Sequence, residues 1–158
     1  MKEVERIADQ LARAFEGDAW HGPAVMEILD GMTAQQASTR PFKSAHNIWE
    51  LVLHIAAWER AGVRRLHGDR AQLSPEEDWP AVAEPSEQSW EQSKKELKQE
   101  YEQLRYAISQ LQDAQLDQPI IEAMSTVYVT LHGIVQHSLY HAGQIAILKK
   151  VVSEGEGV

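Results

Sequence analysis

His137 and His141 are four residues apart, and His54 lies far upstream of both. An α-helix turns ~100° per residue, so positions i and i+4 share a face. Between residues 131 and 148 the two imidazoles line up with Leu131, Ile134, Ile145 and Leu148. His54 has Leu51 at i−3 and Trp58 at i+4. Both stripes should face a core. Three neutral imidazoles converging inside a helical bundle suit a divalent transition metal with open coordination positions. The spacing alone is a weak signal, because 7 histidines among 158 residues produce such a pair by chance often enough. A lone histidine on an apolar face is ordinarily a hydrogen-bonded core residue, so periodicity leaves both readings open.

The elements that must position these residues read as helices. Val4, Ile7, Leu11 and Phe15 mark a first helix over residues 2–16, stopped by Gly17 and Asp18. Pro23 suits the first position of a short helix through Leu29, and Thr33 suits the cap of a turn through Ala37. A second long helix is expected from an N-cap at Ser44 to His67, before Gly68. Residues 69–85 hold Pro75, Pro80 and Pro85, the acidic run Glu76, Glu77 and Asp78, and Trp79. That composition predicts a long loop, either functional or a crossover. Ser86 caps a third helix to Gln112 with Trp90, Leu97, Tyr101, Leu104, Ile108 and Leu111 inward. A fourth helix over residues 126–150 carries the histidine pair. The expectation is an all-α four-helix bundle with long crossover connections, one domain over residues 1–152 followed by a flexible tail over 153–158.

Composition narrows the function. The formal net charge is −9, which argues against a nucleic-acid partner, since phosphate binding needs clustered cations. Arg64 and Arg65 form only a small local pair, and Lys149 and Lys150 read as charges complementing a helix C-terminus. There is no cysteine, which removes disulfides, thiolate ligands and a cysteine nucleophile. No apolar run approaches the ~20 residues that span a bilayer, and no secretory h-region follows the first residues. The expected setting is cytoplasmic, with neither membrane nor nucleic acid as partner.

Two segments together resemble the DinB/YfiT-like superfamily of small helical-bundle proteins: AHNIWELVLHIAAWE at residues 45–59 and LHGIVQHSLYHAGQI at residues 131–145. The run GDAWHGP at residues 17–23 is similar to one subgroup of that family. The resemblance implies an up-down-down-up bundle holding a divalent metal on three histidines, here His54, His137 and His141. It also implies kinship with transferases and isomerases that use low-molecular-weight thiols such as bacillithiol or mycothiol. Several family members are dimers, so a homodimer is expected here.

Such a centre suits two tasks. It can bind a thiol as thiolate and deliver a nucleophile at neutral pH, or it can polarise a carbonyl or activate water. Without protein cysteine, a thiol must arrive as a cosubstrate. The resemblance favours thiol activation, with transfer to a small electrophilic substrate. A non-catalytic metal- or small-molecule-binding bundle and a metal-assisted hydrolase are the alternatives. The metal is expected to be Zn²⁺ or Ni²⁺ in a purified sample, with Fe²⁺ and Mn²⁺ also compatible with imidazole. Glu50, at i−4 from His54, is a candidate to orient that ligand or to act as a general base, against the plainer reading of a helix-start carboxylate. Gln144, at i+3 from His141, is a candidate to orient it, and Tyr140 to donate to a substrate oxygen. His132 falls on the opposite face from His141, His46 sits ~80° from His54, His21 lies in a turn and His67 ends a helix, so none is chosen as a ligand. Trp49, Trp58, Trp79 and Trp90 read as core or interface before pocket.

Overall fold

The structure is a computed structural model that describes residues 1–82 and 84–154. Among them the helices run α1 (Glu3–Phe15), α2 (Val25–Leu29), α3 (Ala34–Ser38), α4 (Ile48–Leu66), α5 (Pro75–Asp78), α6 (Glu87–Ser109) and α7 (Val127–Glu154). No strand occurs among the described residues, and none of their helices is long and apolar enough to cross a membrane.

Local chemistry explains where helices start and where expectation missed. The cap of α4 is Asn47, not Ser44. Its Oδ1 accepts from the Glu50 N–H at 2.8 Å, and the Glu50 carboxylate takes the Asn47 N–H at 2.9 Å. This reciprocal box needs Glu or Gln three residues on, which Asn47 has and Ser44 lacks. Pro23 stays outside α2, whose cap residue is Ala24. Within the expected loop, Ser74 caps α5 and Pro75 occupies its first position. Ser86 caps α6, which stops at Ser109 and leaves Leu111 half-buried beyond its end. The last helix includes Ser153 and Glu154, and residues 155–158 of the expected tail lie outside the described residues.

Contacts along the seams set the helix directions. Near the start of α4, Trp49 packs on Trp90 at 5.1 Å and donates from Nε1 to Ser93 Oγ at 2.9 Å. Further along, Arg60 reaches Glu100 at 2.9 Å. The numbers rise together, so α4 and α6 are parallel. Phe15 stacks on Tyr101 at 4.0 Å, and the N–H groups of Glu3 and Val4 reach Asp113 past the end of α6, so α1 and α6 are antiparallel. His54 meets His137 and His141, while Gly62 meets Ile134, so α4 and α7 are antiparallel. The bundle is therefore up-down-down-up for α1, α4, α6 and α7. Two consecutive parallel helices need a connection running back along the bundle, which accounts for the length of the α4–α6 link. At Gly62 an added Cβ would stand 2.5 Å from Ile134 Cδ1, so glycine permits this close approach of α4 to α7.

The end near the starts of α4 and α6 is closed by α2 and α3. Trp90 Nε1 donates to the Met32 carbonyl at 2.8 Å, and the Ala34 N–H donates to Glu87 at 2.9 Å. Lys149 does not complement the helix C-terminus as expected, because α7 continues to Glu154; its Nζ instead donates to the Ile28 and Asp30 carbonyls at 2.6 and 2.9 Å. The core draws on every helix except α5 and includes Phe15, Trp49, Trp90 and Tyr101 among its largest fully buried side chains.

Glu59 of α4 is fully buried, and neither carboxylate oxygen has a hydrogen-bond partner. Burial, and then the charge of Glu100, push its pKa well above the ordinary carboxylate value. Folded Glu59 thus holds a proton that the unfolded chain releases, and stability is lost as pH rises from the ordinary range through the folded pKa. Glu59→Gln should gain on wild type with increasing pH, by up to about 1.4 kcal/mol per unit. Denaturant unfolding at a series of pH values measures this, and parallel stability curves would contradict it.

Candidate metal centre

The seam between α4 and α7 brings together the three histidines that the sequence singled out. His137 Nε2 lies 3.0 Å from His54 Nε2 and 3.1 Å from His141 Nε2. One nitrogen from each ring falls within 4.8 Å of the other two. His54 and His141 are buried and His137 is half-buried. Antiparallel packing is what permits the meeting, because His137 and His141 stand one turn apart on α7 and His54 faces them from α4.

Hydrogen bonds at the far side of two rings settle their protons. His54 Nδ1 is 2.6 Å from the Asp78 carbonyl, which can only accept, so Nδ1 carries the hydrogen and Nε2 is a bare lone pair. His141 Nδ1 donates to Gln144 Oε1 at 2.6 Å, which leaves its Nε2 bare as well. His137 Nε2 faces both lone pairs and has at most one proton to offer. Its own Nδ1 is buried without a partner. Such a cluster is unfavourable unless a cation sits among the three nitrogens. Imidazole nitrogens bind a divalent ion at ~2.0–2.1 Å, which places neighbouring ligands ~3.0–3.4 Å apart. The two separations from His137 fall in that range, and the His54 and His141 nitrogens lie within 4.8 Å of each other. Burial first, and then the neighbouring His141 and His54, push the His137 pKa down to about 3. Burial also lowers that of His141, against the opposing hydrogen bond of Gln144. Both rings are therefore neutral at pH 7, as ligands must be.

The α4–α6 crossover supplies what the helices lack. Asp78 presents its carbonyl to His54, its Oδ1 to the same Nδ1 at 3.2 Å, and that same Oδ1 to Trp58 Nε1 at 2.7 Å. Trp79 lies flat on His54 at 3.8 Å and on its other side stacks with His46 at 3.6 Å. Sequence reasoning noted the acidic run and Trp79 as a loop but assigned neither to the site. The only signal was a long loop rich in proline yet carrying a tryptophan. Trp49 and Trp90 are core, whereas Trp58 and Trp79 flank the imidazoles.

Glu50 requires a correction. Its carboxylate engages the Asn47 N–H, His46 Nδ1 at 3.1 Å and the Arg40 guanidinium, not His54. Burial raises its pKa, but these three partners outweigh burial and hold it below the ordinary value. A carboxylate so engaged is a poor proton acceptor. Gln144 contacts His141 directly, and Tyr140 meets the His141 ring edge-on at 5.1 Å while remaining largely exposed. His132 packs at a tilt against Tyr128, His67 bonds the Val63 carbonyl, and His21 is exposed in a turn, so none joins the cluster.

A cleft of about 440 Å³ opens beside His141, walled by Leu51, Trp79, Tyr140, Ile147 and Leu148 with His46 and Gln144 as polar edges. A second cleft of about 280 Å³ borders His137. The three-histidine cluster lies between them.

A family model for the DinB superfamily matches residues 19–145. The crystal structure of the conserved protein of locus from Enterococcus faecalis aligns with 98% of this chain and 99% of that chain, at a TM-score of 0.73 and 22% identity. At that identity the likeness concerns the fold. In an alignment 88 positions long, the chain is 36% identical to dynein axonemal assembly factor 3 of Macaca fascicularis. The alignment covers 49% of this chain and 16% of that much longer protein.

Gln144→Ala removes the acceptor that holds the His141 ring and should weaken Zn²⁺ binding about 10–100-fold. His141→Ala should lose the tight site altogether. Competition with a chromophoric chelator measures both, and wild-type affinity in Gln144→Ala would remove its positioning role.

Proposed function

The chain belongs to the DinB superfamily, and on that footing we propose that it is a divalent-metal enzyme that activates a low-molecular-weight thiol for transfer to a small electrophile. The observation that carries the reading is the convergence of three Nε2 atoms, two of them bare by their own hydrogen bonds. A metal held there would supply a Lewis acid that lowers the pKa of a thiol brought to it.

The chain's own residues account for the remaining requirements. Gln144 and the Asp78 carbonyl fix two imidazoles in the tautomer that presents Nε2. Trp79 covers one face of His54 and excludes water from it. The cleft beside His141 is within the size range of small-molecule pockets, and its apolar wall suits a small organic electrophile. Tyr140 stands at its rim, where its hydroxyl can donate to an oxygen on the substrate. With no cysteine in the chain, the sulfur nucleophile belongs to a cosubstrate. The hydrolytic alternative loses the base nominated for it, because Glu50 is occupied by Asn47, His46 and Arg40.

Zinc-loaded protein should turn over members of a panel of epoxides, chloroaromatics and maleyl-type isomers only when a thiol is supplied. That turnover should vanish after chelation and in His54→Ala. Hydrolysis without thiol would contradict the transfer reading. Full metal occupancy with no turnover across the panel would instead point to a non-catalytic binding bundle.

A further inference from the structure

The cleft bordering His137 contains a cation that no carboxylate among the described residues pairs with. Of its lining residues only Arg65 carries a formal charge. Among the described residues Arg65 has no carboxylate within ion-pair distance, although the chain carries a net charge of −9. Its neighbour Arg64 pairs with Asp69 at 2.8 Å. Arg65 makes only two long bonds, from Nε to the Arg70 carbonyl at 3.3 Å and from one terminal nitrogen to the Ala71 carbonyl at 3.4 Å. Burial alone pushes its guanidinium pKa down. A half-buried guanidinium with donors to spare is an incomplete site.

The guanidinium sits 5.2 Å from the centre of the Trp58 ring, and Trp58 in turn lies 5.7 Å from the His137 ring. The bond from Trp58 Nε1 to Asp78 fixes the indole in place. Gly133 leaves one wall bare, since an added Cβ there meets nothing within 4 Å. The cleft thus runs from a cation, along an indole, to a member of the histidine cluster.

We propose that this cleft binds the carboxylate of a small substrate or cosubstrate, with Arg65 as its anchor, Trp58 as the platform under its carbon skeleton, and its other end directed toward the three-histidine centre. The proposal deepens the functional reading above and rests on that centre being where reaction occurs. A carboxylate fits better than a phosphate because the backbone donors at the start of α7 are already taken. Val127 N–H donates to the Gln118 carbonyl, Tyr128 N–H to the Leu116 carbonyl, and Val129 N–H to Thr126 Oγ1. The Ser125 and Thr130 hydroxyls at the rim are bonded to each other at 3.0 Å. What is left is one planar fork, which matches the two oxygens of a carboxylate.

The test is an amide-resolved NMR titration of the full chain, zinc-loaded and again after chelation, with benzoate, neutral benzamide and inorganic phosphate as probes. Benzoate should shift the Thr130 and Gly133 amides in both metal states and bind roughly ten-fold or more tightly than benzamide or phosphate. Arg65→Gln should lose a similar factor. Gly133→Val, which narrows the cleft and leaves the guanidinium in place, should weaken benzoate as well. Equal binding of benzoate and benzamide, preference for phosphate, or wild-type affinity in Arg65→Gln would overturn the assignment. Benzoate binding confined to the zinc-loaded state would also overturn it, as that marks direct metal ligation. Because the readout is binding and includes metal-free protein, it stands or falls separately from thiol-dependent turnover.

Discussion

Three imidazole nitrogens, two of them bare lone pairs, share one small volume at a cost unless something positive lies among them. His54 and His141 are held in that arrangement from outside: the Asp78 carbonyl accepts from His54 Nδ1–H and the Gln144 amide oxygen from His141 Nδ1–H, so each ring turns an unprotonated Nε2 toward His137. Most of the surrounding structure serves to keep this unfavourable grouping in place. The antiparallel seam of α4 and α7 sets the spacing, and Gly62 lets Ile134 approach closely on the same seam. Burial keeps the His137 and His141 rings neutral, which makes them good ligands and also makes them costly without a cation.

The topology has a chemical consequence. Because α4 and α6 run parallel, the chain must return along the bundle between them, and that return passes the histidines. Asp78 and Trp79 are delivered by this crossover, the one tying His54 to Trp58 and the other covering the His54 face. A simple up-and-down bundle would join these helices by a short turn and leave His54 without an acceptor. The parallel pairing is itself secured in the core, where Trp49 packs on Trp90 and each indole N–H finds a partner.

How much of this was legible beforehand depended on range. Helical period alone placed His54, His137 and His141 on inward stripes, and residue chemistry identified Ser86 as the cap of α6. Both are local signals. Asn47 displaced Ser44 as the cap of α4 because a reciprocal partner three residues on outweighs a lone serine, and the same exchange drew Glu50 away from His54. Spacing puts Glu50 one turn from the ligand but says nothing of which way its carboxylate folds. Asp78 and Trp79 could not be assigned, since a loop residue's place depends on a path set by distant packing. Trp49, Trp58, Trp79 and Trp90 are alike in sequence, and only tertiary contacts divide them into two core residues and two neighbours of the histidines. Arg65 was legible as a basic residue but not as an unpaired one, because the absence of a partner is a property of the folded chain.

Elemental analysis of the protein purified gently, without a histidine tag or a nickel column, joined to X-ray absorption at the edge of whatever metal is found, tests the central claim most directly. The account predicts about one divalent transition metal per chain, with imidazole nitrogens at ~2.0–2.1 Å as its protein ligands. Protein that carries no metal, and takes up none on titration with Zn²⁺, Ni²⁺, Fe²⁺ or Mn²⁺, would contradict it and make the three histidines a core cluster.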